Sequence, residues 1–210
     1  MRVKYTESVA GREFRPYVGP MNAEHQRACA SDEWRTTVRE QIVPWVLDGV
    51  DLGDDVVELG PGYGPTTDSL RGLVARLTAV EIDPELARAL ATRPNGSNVT
   101  VAEGDATRLE FEDGRFSGAT CFSMLHHIPS RAQQDRLFAE ARRVLVPDVI
   151  FVASDSVDRP DLRTFHEGDT FVPIDPEELP RRLSEAGFVD VLVDRNEFAW
   201  KARARKGVDI

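Results

Sequence analysis

VVELGPGYGPTTDSL, residues 56–70, decides the fold. A short apolar run closes on Glu58 and Leu59, glycines stand at 60, 62 and 64, and a helical pattern opens at once with Pro65. A strand that runs through a glycine-rich turn into a helix brings backbone close to a ligand. Glycine alone supplies the needed conformations, and a helix start supplies unpaired N–H groups.

The same rhythm continues on both sides. DDVVEL (54–59), LTAVEID (77–83), NVTVAEGD (98–105), FSGATCFSM (116–124) and VIFVAS (149–154) read as strands. Between them, Pro65–Arg76, PELARALATR (84–93) and Ser130–Leu145 read as helices, two of them opened by a proline suited to a first turn. Asp175 with Glu178 gives a helix start, with local distortion expected at Pro180. FVDVLVD (188–194) and EFAWKARAR (197–205) follow as two strands joined by a turn at Arg195 and Asn196. Strand–helix alternation calls for an α/β fold with a mostly parallel sheet covered on both faces. The final pair must be antiparallel. Ahead of the sheet the pattern turns helical from Met21 to Leu47, with Trp34, Val38, Ile42, Val46 and Leu47 on one face, Ser31 or Asp32 suited to cap the helix start, and Pro44 marking a kink or an end. Residues 1–50 are thus expected to form an N-terminal helical cap or lid, and residues 51–210 the ligand-binding domain.

In such sheets a ligand sits beyond the carboxyl ends of the strands. A phosphate-cradling G-x-x-x-x-G-K-[ST] loop is excluded, because Pro65 falls where its second glycine belongs and no lysine follows. The dinucleotide pattern G-x-G-x-x-G fails at the same proline, and Asp68 in the next helical turn would compete with a pyrophosphate. An adenosine ligand without phosphates remains. Glu81, at the end of the second strand, suits a pair of ribose hydroxyls, and Asp105, at the end of the third, suits an adenine amino group.

VVELGPGYG, AVEIDPEL (79–86), EGDAT (103–107) and GATCFSMLHHI (118–128) together resemble the successive motifs of the class I S-adenosylmethionine-dependent methyltransferases. The resemblance covers roughly residues 54–155. It implies a Rossmann-like seven-stranded sheet in the order 3-2-1-4-5-7-6 with strand 7 antiparallel, and S-adenosylmethionine as cofactor. By the same resemblance Glu58 supports the loop, and Gly60, Gly62 and Gly64 admit the methionine part. Glu81 and Ile82 then hold the ribose, while Asp105, Ala106 and Phe122 bound the rest of the cofactor. VLVPDVIF (144–151) departs from the family by lacking a glycine pair before strand five.

Methyl transfer from a sulfonium is an in-line displacement, so the protein chiefly aligns the partners and excludes water. Strand four ends in SMLHHIP (123–129), where His127 and, second, His126 are the candidate catalytic bases. Neither a [DNS]-P-P-[YF] tetrad nor a Pro-Cys pair is present. Tyr17 and Trp34 from the cap, with His166 and Glu167 from TFHEGDTF (164–171), are candidate acceptor contacts. His166, Glu167 and Asp169 read as a polar loop, and no metal is expected.

Of 210 residues, 41% are apolar and 30% charged, with a net charge of −10. That acidic balance argues against a nucleic-acid partner, and KARARK (201–206) reads as an alternating edge strand with its basic residues in water. The two cysteines, Cys29 and Cys121, have no metal or disulfide spacing, and Cys121 is expected to be buried. With no signal-like or membrane-length apolar run, a cytoplasmic enzyme with a small-molecule acceptor and no membrane partner is the expectation. A regulatory protein that keeps the fold without turnover, or a nicotinamide-dependent oxidoreductase, are the alternatives.

Overall fold

A computed structural model describes residues 21–94 and 96–208. Seven strands form one sheet: β1 (Asp55–Leu59), β2 (Arg76–Glu81), β3 (Val99–Glu103), β4 (Phe116–Phe122), β5 (Leu145–Ser156), β6 (Phe188–Arg195) and β7 (Ala199–Lys206). Their order is β3-β2-β1-β4-β5-β7-β6. The first five are parallel, and β7 runs antiparallel to both β5 and β6. The order reverses at β1, which pairs β2 on one side and β4 on the other. The cleft beyond their carboxyl ends is therefore the ligand position that this topology offers.

Strand β1 is buried along its whole length because both faces are covered. One core, around Leu137, Phe138, Phe151, Leu179 and Trp200, lies under α6 (Arg131–Val144) and α8 (Leu179–Glu185). A second, around Val38, Val43, Val46, Val56 and Leu70, lies under the N-terminal helices and α4 (Pro65–Leu70). Cys121 is fully buried, as its apolar neighbours in the sequence imply. Among the described residues, no helix is long and apolar enough to cross a membrane.

Several local expectations are corrected. Met21–Leu47 is not one helix. It is divided into α1 (Ala23–Cys29), α2 (Asp32–Thr37), a π-helical turn (Val38–Ile42) and α3 (Val43–Val46). Ser31 ends the first segment's run and caps the second by accepting from the Trp34 N–H. Pro44 has no N–H to give to the carbonyl four residues back, and the helix widens just before it, with the Val43 N–H reaching Val38 O. The helix after the glycines stops at Leu70 rather than Arg76.

Helix α8 starts at Leu179, so Pro180 lies in its first turn, where a missing N–H is harmless and no distortion follows. Asp175 makes only a local turn, accepting from Glu177 N–H. A short helix, α7 (Pro160–Phe165), was not foreseen, and neither was α5's full cap, in which Asp83 accepts from the N–H groups of Glu85 and Leu86 ahead of Pro84–Thr92. KARARK lies in β7, between β5 and β6. It is an inner strand, with Ala202 and Ala204 buried and Arg203 and Arg205 exposed.

Candidate functional site

The glycine turn is built largely by its own neighbours. Gly60, Gly62 and Gly64 have φ of +69°, +54° and +77°, a region that side chains enter at a cost. A Cβ on Gly60 would lie 2.3 Å from Met124 Cγ, and one on Gly64 would lie 2.5 Å from Leu90 Cδ1. At Gly62 a Cβ would meet nothing within 4 Å. Gly60 and Gly64 are thus required by packing, and Gly62 alone opens onto free space. The Tyr63 carbonyl accepts from Arg35 (3.2 Å) and Arg93 (2.8 Å), and both guanidinium groups also hold Asp68. Asp68, read from the sequence only as hostile to phosphate, anchors this clamp.

Two buried carboxyl groups support the turn. Glu58 accepts from the hydroxyls of Thr66 and, at 2.6 Å, Thr67. Burial raises its pKa to about 7, against the lowering effect of those hydroxyls. Glu81 accepts from the N–H of Gly62 (2.9 Å) with Oε2 and of Asp83 (3.0 Å) with Oε1. Burial raises its pKa as well, opposed by those backbone donors. Each oxygen has one further lone pair, so the carboxylate can accept two more hydrogen bonds from a ligand. Asp105 spends one oxygen on the Thr107 N–H, 2.8 Å away.

All four histidines of the chain converge next to this loop. His126 and His127 sit in a 3-10 turn (Leu125–His127) after β4, His25 comes from α1, and His166 directly follows α7. The His126 and His127 rings are 4.0 Å apart between centroids, and those of His25 and His166 are 4.5 Å apart. Asp155, near the end of β5, accepts from the His126 backbone N–H (2.9 Å) and lies 2.6 Å from His126 Nδ1. His126 Nε2 is buried with no hydrogen-bond partner among the described residues. Burial lowers the pKa of His25, that of His127 well below the ordinary value, and that of His166 to about 4. The mutual repulsion of the rings adds to each of these shifts.

A cavity of about 1090 Å³ joins the two halves. Its wall includes Gly60, Gly62, Glu81, Ile82, Asp105, Ala106 and Phe122, and equally Trp34, His126, His127 and His166. It exceeds the roughly 300–1,000 Å³ of an ordinary ligand pocket. The Gly62 opening, the spare lone pairs of Glu81 and the acid at Asp105 fit S-adenosylmethionine.

Some expected residues fall elsewhere. Gly64 packs against Leu90 and does not line the cavity; Glu58, expected only to support the loop, is likewise off the wall. Glu167 is exposed and off the cavity wall, because the helical turn that buries His166 directs the next residue outward. Tyr17 lies outside the described residues. Asp155 was missed, and His25, one of the aromatic residues ahead of the sheet that an acceptor pocket could use, was not placed with the other histidines. An acid ending an apolar strand beside a histidine pair was a usable signal for Asp155. Nothing local marks His25.

Residues 57–153 match the family described as "Methyltransferase domain". Among solved structures, a protein of Pyrococcus horikoshii superposes with a TM-score of 0.74 at 19% identity, covering 90% of this chain and 100% of that one. A phosphoethanolamine N-methyltransferase of Haemonchus contortus, solved with S-adenosylhomocysteine, gives 0.67 at 14% identity, covering 84% and 56%. These likenesses establish the fold. The curated relatives include ribosomal RNA small subunit methyltransferase A of Aliivibrio salmonicida, 39% identical over 75 residues, 32% of this chain and 27% of that protein. A probable counterpart in Thermococcus onnurineus is 42% identical over 60 residues, 29% of this chain and 22% of that protein. The chain matches about a quarter of the length of these relatives. Their names overturn the expectation that nucleic acid has no part as a partner. That expectation rested on whole-chain charge, which does not describe a local surface.

Proposed function

We propose that this chain, whose residues 57–153 match a methyltransferase domain and whose fold is that of the class I enzymes, moves the methyl group of S-adenosylmethionine to a small acceptor bound against His126. The observation that carries this reading is one cavity whose wall holds both the open Gly62–Glu81 corner and a histidine fixed by a buried acid. When bound, the cofactor supplies a methyl group already activated on a sulfonium. Glu81 and Asp105 would hold its ribose and adenine, with Ile82, Ala106 and Phe122 as apolar walls. Gly62 leaves room for its amino-acid part.

His126 is the better base of the pair, which reverses the order that the sequence suggested. Asp155 accepts from Nδ1–H, so Nε2 keeps its lone pair for a proton from an acceptor hydroxyl or amine. His127 is a weaker base, since burial and its neighbours disfavour its charged form. Trp34 and His166 complete the acceptor wall.

A second reading has a nucleotide of RNA as acceptor, favoured by the similarity to ribosomal RNA methyltransferases. Calorimetric titration with S-adenosylmethionine and S-adenosylhomocysteine, with NADH as control, tests the cofactor. Transfer of labelled methyl to a panel of small hydroxyl and amino compounds, against small-subunit ribosomal RNA, separates the acceptors. Binding of NADH alone would replace the reading by the oxidoreductase one. Cofactor binding with no transfer to either class would favour a regulatory protein.

A further inference from the structure

We propose that His25, His127 and His166 form a three-histidine site for a divalent transition metal of the zinc, cobalt or nickel class. One ring nitrogen from each lies within 4.8 Å of one from each of the others. The residues come from three separate parts of the chain, which is why no spacing motif announces them.

The hydrogen bonds fix which nitrogen is available. His25 Nδ1 lies 2.8 Å from Asp169 Oδ2, His166 Nδ1 lies 2.7 Å from the Leu162 carbonyl, and His127 Nδ1 lies 3.3 Å from the Thr170 carbonyl. A carboxylate and two carbonyls can only accept, so each Nδ1 carries the proton and each Nε2 carries a lone pair. Histidine ligands are oriented by carboxylate or carbonyl partners on the far nitrogen in just this manner. Asp169 is itself fixed, its side chain 1% exposed and also held by the Asn22 side chain at 3.2 Å. His166 Nε2 is buried with no partner among the described residues.

Three imidazole nitrogens this close can share one cation, which removes the mutual repulsion of their lone pairs. A tetrahedral ion bound by imidazole holds its nitrogens about 3.3–3.4 Å apart, so nitrogens up to 4.8 Å apart need to close by as much as about 1.5 Å. Three neutral nitrogen donors select zinc, cobalt, nickel or copper over magnesium and calcium. All three residues line the cavity, so the fourth position is left to water or to a heteroatom of the acceptor. His126 is not among the histidines whose ring nitrogens lie within that distance of one another, and it stays outside the set.

The site does not depend on the methyl-transfer reading, and its test does not use activity. Untagged protein is stripped with a chelator and titrated with Zn²⁺ by calorimetry, with Co²⁺ in parallel by visible absorption. Cofactor binding is titrated separately. One equivalent of metal is expected, with a tetrahedral-type cobalt spectrum. His166→Gln and His127→Gln should each weaken binding at least about 100-fold, beyond the 10–100-fold effect of disturbing an outer partner. With only four histidines in the chain, ring ¹⁵N spectra of the wild-type protein give an independent answer if a variant fails to fold. Three Nε2 signals should move to metal-bound positions on adding Zn²⁺, and His126 should not join them. Absence of stoichiometric binding, binding unchanged in both variants, or a different set of shifted rings would overturn the proposal.

Discussion

The N–H of Gly62 donates to Oε2 of Glu81 across 2.9 Å, tying the glycine turn after β1 to the end of β2. The contact places the one glycine of this turn whose Cβ position is open beside a buried carboxylate that still has lone pairs to offer. Glu81 therefore shapes the loop and faces the ligand at once.

Glu81→Ala removes both roles. Cofactor affinity should fall by about 1–3 kcal/mol, the scale for hydrogen bonds to a charged group. Glu81→Gln keeps an acceptor oxygen for Gly62 and should lose less. Calorimetry with S-adenosylhomocysteine measures both, and an unchanged affinity in Glu81→Ala would remove the ribose from this carboxylate.

The three glycines should part company under substitution. Gly60→Ala forces a Cβ against Met124 in addition to its positive φ, and should cost about 2–4 kcal/mol of stability. Gly62→Val meets no atom of the described residues near its Cβ, so it should cost only the 1–2 kcal/mol or so of a left-handed backbone while abolishing cofactor binding. Thermal melts and titrations on the same samples decide it. A Gly62→Val protein that binds normally would show that the open space is not the cofactor's.

Asp155→Asn leaves an oxygen for the backbone N–H of His126 but offers an amide N–H toward Nδ1. The ring must then accept there and carry its proton on Nε2, the wrong tautomer for a base. Turnover should drop about 10²–10⁴-fold, with cofactor affinity little changed and a modest loss of melting temperature, because the Ser156 N–H that Oδ1 accepts from at 2.7 Å loses its acceptor. Loss of cofactor binding in step with turnover would make Asp155 a purely structural residue.

What the sequence disclosed, and what it hid, follows from how local each signal is. The strand–helix alternation and the closing hairpin specify the sheet, because each element's burial repeats over a few residues, as in the fully buried β1. That Glu81 and Asp105 share one cavity wall was legible, since strand ends in this topology face one cleft. His25, by contrast, meets His127 and His166 only through tertiary packing of α1 and the segment after α7, and no spacing encodes that. The π turn ahead of Pro44 was hidden as well, since periodicity alone does not distinguish a widened turn from a helix that ends. KARARK was misread as an edge because alternation reports which face is wet, not which strands lie on either side.

The pH dependence of stability should carry the mark of Glu58. Its folded pKa is raised to about 7 from an unfolded value near 4.5, so the folded state holds a proton that the unfolded state has released. The sign follows from linkage: where the native state binds more protons, stability falls as pH rises. The contribution is complete below about pH 4.5, declines through the window up to about 7, and is flat above it. Glu58→Gln is neutral throughout and keeps an acceptor for Thr66 or Thr67. The stability of wild type minus that of Glu58→Gln should therefore decrease by about 3 kcal/mol from pH 4.5 to 7. Urea denaturation of both proteins across that range measures the difference. A difference that is constant, or that grows with pH, would mean that Glu58 is ionised in the folded protein and that Thr66 and Thr67 outweigh its burial.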